Sequence, residues 1–447
     1  MHLRPADEVD VRVDRLSYGG RGVGRLDGFV VFVDDAAPGD LLRVRLRKVK
    51  RSYAEAAPVR LLEPSPERVA PRCPHFGSCG GCLWQHLAYD AQLRAKQAIV
   101  EESLRHLGGL TPAVRPIEGA DPWYYRNKME FSFHPGGRLG LHRRGRWDEI
   151  EDLTTCFLQS PRTVEIVNAV RAFVRRHDIA CYDPRTHEGV LRHLVIREGR
   201  ATGELLIAVV TASETFPQAR ELAALLVDRH PELTGFLWAI NPSRGDAVEV
   251  AGVHVLHGRP YITERVGGIT FRLGLLTFFQ TNTAQAERMV AIVRELAGAA
   301  MGHVLDLYCG VGTFGLALAG RARRVTGIEV VAASVEAARE NAALNGITNA
   351  TFHAADVRGF DRLPGVADVD LLVLDPPRAG AGARVMQAIA RLAPPRVIYI
   401  SCNPTTLAPD LRELVGAGYA VRVVQPIDLF PQTYHVECVV LLERATS

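Results

Sequence analysis

Two residues in the last part of the chain combine a nucleophile with a carboxylate. Cys402 stands in the run Ser401-Cys402-Asn403-Pro404, and Glu437 follows further along the chain. We expect both to lie at the ends of two late strands of a nucleotide-binding sheet. A thiolate and a carboxylate placed in this way suit covalent attack on a flat ring, followed by removal of a proton.

A glycine-rich turn marks a candidate cofactor site. Gly310, Gly312 and Gly315 match G-x-G-x-x-G, the dinucleotide fingerprint, so a nicotinamide oxidoreductase is one candidate. Asp306 precedes the glycines at a strand end, where it would favour a cationic sulfonium over a pyrophosphate. Glu329 ends the next strand and is placed to accept hydrogen bonds from ribose hydroxyls. These two acids favour S-adenosylmethionine as the cofactor.

A third strand end carries Asp375-Pro376-Pro377-Arg378. The two prolines restrict the backbone, and we expect them to aim Asp375 into the crevice at the carboxyl ends of the strands. Strands and helices alternate through this part of the chain, which predicts a parallel, doubly wound sheet. The predicted strands are 303–308, 324–329, 371–374 and 397–400, and a helix is predicted over 332–345.

Three early cysteines, Cys73, Cys79 and Cys82, are closely spaced, and Cys156 is a plausible fourth member of the set. In a reducing cytoplasm, clustered cysteines are more often metal ligands than disulfides. The spacing differs from the paired C-x2-C of zinc ribbons, so zinc is less favoured but stays open as an alternative.

The rest of the chain divides into two further regions. Short alternating strands with glycine-rich turns in residues 1–64 predict a small closed barrel, of a type that commonly binds single-stranded nucleic acid. Residues 63–71 are predicted to form a linker. Residues 73–275 predict an α+β domain of antiparallel character, with a helix over 89–107, and residues 276–447 form the doubly wound domain.

Composition predicts a soluble protein of two or three domains, with 447 residues, 47% hydrophobic and 23% charged. We find neither an apolar run of about 18 residues that would span a bilayer nor a signal peptide, so we expect a cytoplasmic protein without a membrane partner. The net charge is only +3, but basic residues cluster in 41–60 and 115–146. Such patches in a nearly neutral protein fit a polyanion, although solvated surface charge explains either patch equally well.

Several short motifs in a fixed order resemble those of the RNA uracil-C5 methyltransferases, which form 5-methyluridine, in the branch with an N-terminal TRAM domain. Besides the barrel and the cysteine triplet, the matching blocks are Phe-Phe-Gln-Thr-Asn at 278–282, Asp-Leu-Tyr-Cys-Gly-Val-Gly-Thr-Phe at 306–314, Asp-Pro-Pro-Arg at 375–378, Ser-Cys-Asn-Pro at 401–404 and Pro-Gln-Thr-Tyr-His-Val-Glu at 431–437. The resemblance covers nearly the whole chain.

This resemblance implies a TRAM barrel related to the OB-fold, an α+β central domain with an iron–sulfur cluster, and a Rossmann-like α/β methyltransferase domain. It implies that Cys402 is the nucleophile and Glu437 the general base. It also implies that Cys73, Cys79, Cys82 and Cys156 bind a structural [4Fe-4S] cluster. The residues it implies in S-adenosylmethionine binding are Gln280, Tyr308, Thr313, Glu329, Asp356 and Asp375.

The implied substrate is structured RNA, with 23S ribosomal RNA favoured and the T-loop uridine of transfer RNA as the alternative. We expect a monomer without an obligate protein partner. The target base must leave its stack to react. Phe278 and Phe279 are candidates to stack on it, and we expect one of the two to lie in the core instead.

Three rival interpretations explain less of the sequence. Radical S-adenosylmethionine enzymes can also combine a TRAM domain with an iron–sulfur cluster, but they need C-x3-C-x2-C, whereas five residues separate Cys73 from Cys79. A nicotinamide oxidoreductase leaves Cys402 and Glu437 unexplained. A non-catalytic RNA-binding protein would have no need to keep both residues.

Overall fold

The fold is that of a computed structural model, which describes residues 3–245, 248–363 and 365–445. The outermost limits of the predicted domains, residues 1 and 447, lie outside these ranges. In the described ranges, no helix combines the length and the apolar character that crossing a bilayer requires.

The N-terminal region is the predicted barrel. Its strands are β1 (Glu8–Leu16), β2 (Gly22–Leu26), β3 (Phe29–Val33), β4 (Leu41–Val49) and β5 (Tyr53–Glu63), closed in the order β1-β2-β3-β5-β4. Alternate residues of β4 face inward, so Leu42, Val44 and Leu46 are buried while the arginines between them are exposed. At Gly24, a Cβ would lie 2.3 Å from the Arg12 carbonyl oxygen, so only glycine fits this closure.

Acidic residues on neighbouring strands neutralise much of the predicted basic patch of the barrel. Arg43 forms a two-pronged ion pair with Asp10, and Arg45 pairs with Glu8. These residues lie directly opposite each other in the antiparallel β1–β4 pair. Both acids belong to β1 and lie outside residues 41–60, so the sequence of that segment does not reveal the pairing. The barrel surface is therefore less cationic than the local sequence indicated.

The middle region contains a seven-stranded sheet in the order β12-β11-β10-β9-β6-β7-β8. Its strands are β6 (Lys128–His134), β7 (Arg138–His142), β8 (Ile150–Asp152), β9 (Leu191–Glu198), β10 (Leu205–Thr211), β11 (Leu233–Ile240) and β12 (Gly252–Gly258). Three helices belong to this part of the chain, α1 (Tyr89–His106), α2 (Pro161–Arg176) and α3 (Ala219–Arg229). The sheet is antiparallel, as predicted, except that β10 and β11 run parallel, because α3 connects them as a crossover.

The C-terminal region contains the second seven-stranded sheet, in the order β17-β16-β15-β18-β19-β21-β20. A hairpin precedes it, β13 (Tyr261–Val266) and β14 (Ile269–Gly274). The other elements are α4 (Thr283–Ala297), β15 (Met301–Leu307), α5 (Thr313–Leu318), β16 (Ala322–Glu329), α6 (Ala332–Leu344), β17 (Ala350–Ala354), β18 (Leu371–Leu374), α7 (Gly382–Leu392), β19 (Arg396–Ser401), α8 (Pro404–Gly416), β20 (Tyr419–Ile427) and β21 (Glu437–Arg444).

Five strands of this sheet, β15 to β19, are parallel, with helices and apolar clusters on both faces, which confirms the doubly wound fold. The last two strands differ from the prediction of a wholly parallel sheet. The chain returns through β20 and β21, and β21 pairs antiparallel with both β19 and β20. The reversed direction brings the start of β21 to the edge where β19 ends.

Packing joins the three regions. Val100 and Leu104 of α1 enter the core on one face of the C-terminal sheet, where α1 packs against α8. The other face shares one continuous core with the middle sheet, in which Leu206 and Leu237 lie in the same cluster as Met289 of α4. The C-terminal sheet is therefore supported by elements from the preceding half of the chain.

Candidate active site

The predicted site residues converge at one edge of the C-terminal sheet. Because β15 to β19 are parallel, their carboxyl ends meet there. Tyr308, Glu329, Asp375 and Cys402 each lie at or just after such an end. Glu437 joins them as the first residue of β21, because Ser401 pairs with Cys438 across the antiparallel register.

Cys402 lies between a strand and a helix N-terminus. The side chain of Asn403 caps α8, because its Oδ1 accepts a hydrogen bond from the Thr405 backbone amide. The backbone amide of Asn403 donates to Ser401 Oγ at 3.2 Å. Pro404 occupies the first turn, where its missing N–H costs nothing. The thiol is partly exposed, unlike the buried Cys438. The Ser-Cys-Asn-Pro run is thus a strand-to-helix turn that presents its cysteine to the cleft.

Burial and neighbouring charges shift the pKa values of both candidate catalytic groups. Burial, with the carboxylates of Glu437 and Asp375, raises the pKa of the Cys402 thiol to about 11. Burial and the carboxylate of Asp375 raise the pKa of Glu437 to about 8. The guanidinium of Arg378 acts in the opposite direction on both pKa values. Once deprotonated, a Glu437 carboxylate with this raised pKa is a stronger base than an ordinary carboxylate.

The glycine-rich turn has an unusual backbone. Gly310 and Gly312 have φ of +53° and +86°, and Tyr308, which has a side chain, has φ of +59°. Non-glycine residues with positive φ are uncommon and cluster at functional sites. A Cβ at Gly310 would meet no atom within 4 Å, so this part of the turn faces open space. The turn can therefore admit a ligand close to its backbone.

Glu329 holds this turn in place. Its Oε2 accepts a hydrogen bond from the Gly310 amide at 3.2 Å, and its Oε1 accepts one from the Val331 amide at 2.8 Å. Each carboxylate oxygen keeps a second lone pair, so Glu329 can still accept hydrogen bonds from ribose hydroxyls. Thr313 begins α5 immediately after the turn.

Asp306 does not contact the cleft, contrary to the role suggested for it by the sequence. Its side chain is completely buried, and Oδ2 accepts the Gly315 amide at 2.8 Å. Burial raises its pKa to about 7. Asp306 therefore fastens α5 to the strand before it and would not touch a sulfonium directly.

Asp356 and Gln280 complete the predicted cofactor set from outside the parallel strands. Asp356 is exposed, forms an ion pair with Arg358, and is close enough to Tyr308 to contribute to the raised pKa of that phenol. Gln280 is half-buried, and its backbone carbonyl accepts a hydrogen bond at 3.0 Å from the side chain of Asn127 in the middle region. Five of the six predicted cofactor residues thus lie around the sheet edge, and the contact shown for Gln280 is with the middle region.

A cavity of about 650 Å³, here called the entrance cavity, opens beside this edge and includes Arg126, Lys128, Phe278 and His435 in its walls. Phe278 is 71% exposed, whereas Phe279 is buried in the core shared by the two sheets. This division matches the expectation that one ring is available for stacking and the other packs inside. The cationic residues suit a nucleic-acid strand.

The segment before Glu437 is anchored by α1. Lys96 and Asp428 form an ion pair with both side chains fully buried, at 2.6 Å, and Lys96 also donates to the Phe430 carbonyl. Tyr89 donates a hydrogen bond to the same Asp428 carboxylate at 2.9 Å. The Gln92 side chain donates a hydrogen bond to Gln432 Oε1 and accepts one from the Gln432 backbone amide. Because a buried charge needs its partner, these contacts define one position for the segment.

Two residues near the reacting groups were not identified from the sequence. Arg378 interacts electrostatically with Cys402 and Glu437, although it belongs to a motif that was singled out for its aspartate. Tyr18 comes from the turn between β1 and β2 of the barrel, and its ring contacts that of Tyr434 edge-on, with centroids 5.2 Å apart. No local pattern could have linked a barrel turn to a site more than 380 residues away.

The four candidate metal-binding cysteines line one small cavity, together with His75 and Phe157. All four thiols are free. Burial raises the pKa of Cys79 to about 11 and that of Cys82 to about 12, and Cys156 contributes to both shifts by its proximity. Among the residues that the structure describes, however, no three His, Cys, Asp or Glu side chains are gathered so as to hold a metal ion. The thiols share a cavity without converging on a point.

The cysteine loop is bonded to the segment before Glu437. The backbone amides of Leu83 and Trp84 both donate to the Gln432 carbonyl, at 2.9 and 3.0 Å. Gln432 itself has φ of +69°. The position of Cys82 is therefore linked through its two successors to the backbone that leads into β21.

The chain is similar to known proteins over nearly its whole length. Residues 261–445 match the tRNA (Uracil-5-)-methyltransferase family, and residues 5–59 match the TRAM domain. An RNA methyltransferase of Thermosynechococcus vestitus is 41% identical over 442 residues, with 97% of each chain covered. One of Halalkalibacterium halodurans is 37% identical over 445 residues, covering 98% of this chain and 97% of that one.

A solved structure has the same fold over nearly the whole length. The Pyrococcus abyssi tRNA (uracil-54, C5)-methyltransferase, in complex with S-adenosyl-L-homocysteine, superposes with a TM-score of 0.78 at 29% identity. The match covers 97% of this chain and 100% of that one. The bound homocysteine derivative in that protein is the product that remains after S-adenosylmethionine has given up its methyl group.

Proposed function

The chain belongs to the family of S-adenosylmethionine-dependent RNA uracil-5 methyltransferases, and we propose that it forms 5-methyluridine in 23S ribosomal RNA through a covalent adduct with Cys402. The observation that supports the covalent step of this proposal is the meeting of Cys402 and Glu437 at the carboxyl edge of the sheet, across the Ser401–Cys438 register. The T-loop uridine of transfer RNA is the second candidate, since the Pyrococcus abyssi relative acts on a transfer RNA.

The proposed mechanism begins with the thiolate of Cys402. It adds to C6 of the uracil, and the electron pair of the C5–C6 bond moves toward the C4 carbonyl, which makes C5 nucleophilic. Arg378 favours the thiolate, because it lowers a thiol pKa that burial otherwise raises. S-adenosylmethionine supplies the methyl group that C5 takes up.

Glu437 completes the reaction. After methylation, C5 carries both the methyl group and its original proton. The Glu437 carboxylate removes that proton, the C5–C6 double bond forms again, and the bond between C6 and the Cys402 sulfur breaks. The thiolate is regenerated, and the proton leaves on the carboxylate. The raised pKa of Glu437, about 8, suits it to hold this proton.

The residues at the sheet edge fit S-adenosylmethionine. Glu329 has free lone pairs for ribose hydroxyls, and Asp375 lies next to Cys402 with its pKa raised to about 7 by burial. We infer that Gln280, Tyr308, Thr313 and Asp356 form the remainder of the pocket. A carboxylate in a poorly solvated position gains most from a cationic ligand.

The substrate can be identified by mapping 5-methyluridine in RNA from a strain that lacks this protein. We expect one or more methylated uridines of 23S ribosomal RNA to become unmethylated, and to be restored by the wild-type chain but not by Cys402→Ala. Loss in the T-loop of transfer RNA would assign the second candidate. Unchanged 5-methyluridine in both RNA classes would contradict the proposal.

We also propose that Cys73, Cys79, Cys82 and Cys156 bind a [4Fe-4S] cluster. Four free thiols around one cavity support this, because a cube of iron and sulfide separates its ligands more widely than a single zinc ion does. Its role would be structural, holding the loop whose amides bind the Gln432 carbonyl.

Anaerobic purification with iron and sulfide analysis tests the cluster. We expect about four iron and four sulfide per chain, as a [4Fe-4S] centre requires. Cys82→Ala should lose the iron and lower kcat, since the segment before Glu437 loses its support. Cys181→Ala, at a buried cysteine outside the cavity, should retain the iron and the wild-type kcat. A colourless wild-type protein with stoichiometric zinc would overturn the assignment.

A further inference from the structure

A second cavity, of about 550 Å³, opens in the middle region beside β6 and β9. We call it the Trp147 cavity. Its lining includes Phe133, His134, Trp147, Tyr182, Arg185 and Arg244. None of the residues assigned above to methyl transfer, to the cofactor or to the cysteine cavity belongs to it.

Aromatic side chains form part of its wall. Trp147 is 68% exposed, which is unusual for the largest apolar side chain. Tyr182 is fixed in place, because the Arg192 guanidinium lies 4.5 Å from the centroid of its ring and its hydroxyl is 2.9 Å from His187 Nδ1. Tyr182 itself is only 8% exposed, so the exposed ring of Trp147 at the rim is the surface on which a flat base can stack.

The charged residues of the cavity are mainly cationic. Asp148 is its one acidic lining residue among those the structure describes, and it already binds both Arg146 and Arg185. Arg244 is exposed and forms no ion pair with another described residue. A cavity with an exposed aromatic ring and the exposed guanidinium of Arg244 matches a nucleotide, whose base is flat and whose phosphate is anionic.

The Trp147 cavity adjoins the entrance cavity. His142 lines both it and the entrance cavity. The turn after β7 separates the two, with Arg143, Arg144 and Gly145 on the entrance side and Trp147 on the other. A single strand that passes over this turn would therefore contact both cavities.

We propose that the Trp147 cavity binds an unpaired nucleotide that flanks the target uridine in the RNA strand. This inference rests on the proposed function for the identity of the polymer. Stacking on Trp147 and contact with Arg244 would hold this flanking nucleotide while the target base occupies the site at Cys402. Trp147 is then a positioning residue that acts on substrate affinity and leaves the chemistry unchanged.

Steady-state methylation of RNA from a strain that lacks this protein tests the proposal. For Trp147→Ala we expect KM for RNA to rise roughly tenfold, the size of one lost base–aromatic stack, with kcat unchanged. Trp147→Phe keeps a ring and should recover most of the affinity. Val255→Ala changes another exposed apolar residue of the middle region, outside the cavity, and should have no effect. An unchanged KM for Trp147→Ala, or a fall in kcat alone, would overturn the inference.

A binding measurement separates this proposal from the proposed function. Wild-type protein should bind a single-stranded oligouridylate more tightly than Trp147→Ala does, even if the wild type methylates no RNA. Uridine monophosphate should bind much more weakly than the oligomer to either protein. Tight binding of the free mononucleotide that depends on Trp147 would instead assign a small-molecule site and overturn the flanking role.

Discussion

Replacing Cys402 by alanine should abolish 5-methyluridine formation, lowering kcat by at least about a thousandfold, because the nucleophile that activates C5 is removed. Binding of S-adenosylmethionine should persist, since the cofactor residues lie at other strand ends and the cap of α8 is provided by Asn403. Incorporation of a labelled methyl group into RNA measures the first effect, and calorimetric titration with the cofactor measures the second.

A matched cysteine variant distinguishes chemistry from packing. Cys181→Ala removes a buried thiol from the middle region, distant in sequence from the cleft, and should retain turnover. If Cys402→Ala still methylates RNA at a rate near that of the wild type, covalent catalysis by this residue is wrong. Loss of cofactor binding together with activity would indicate instead that the variant has damaged the fold of the sheet edge.

Unlike Cys402→Ala, Glu437→Gln should accumulate a protein–RNA adduct while it forms little product. The amide has the shape of the protonated acid and cannot take the proton from C5, so elimination of the Cys402 sulfur is blocked. We expect product release to slow by about a hundredfold to ten-thousandfold, the usual contribution of a general base. Denaturing electrophoresis should show labelled methyl, RNA and protein migrating together.

The double variant Cys402→Ala/Glu437→Gln provides the control for that adduct, because without the sulfur no covalent complex can form. Formation of free 5-methyluridine by Glu437→Gln at the wild-type rate would exclude Glu437 as the base. The same adduct in the double variant would show that the link does not involve Cys402.

Much of the C-terminal fold was predictable because its strands are short apolar runs that end at turns. The strand predicted over 371–374 has those limits in the structure, and the helix predicted over 332–345 ends one residue earlier. Parallel strands bring their ends to one edge, so the proximity of Glu329, Asp375 and Cys402 followed from periodicity alone. The antiparallel direction of β21 could not be predicted in this way, because the direction of a strand depends on the connection before it and not on its local pattern.

Long-range contacts account for what the sequence did not predict. The acids that neutralise the barrel arginines come from an opposite strand, and Lys96, which holds Asp428, lies more than 300 residues before it. Tyr18 reaches the active-site region because the barrel docks there through an apolar cluster that includes Trp84 and Tyr434. None of these partners has a motif of its own, so only the assembled structure reveals them.

The most direct test of the account uses RNA that contains 5-fluorouridine, in which fluorine replaces the proton that Glu437 must remove. With S-adenosylmethionine present, the wild-type protein should form a complex that survives denaturation, and mass spectrometry of the digested complex should place the modified nucleotide on Cys402. A complex that never forms, or a link to another residue, would contradict covalent activation of the uracil by this thiol.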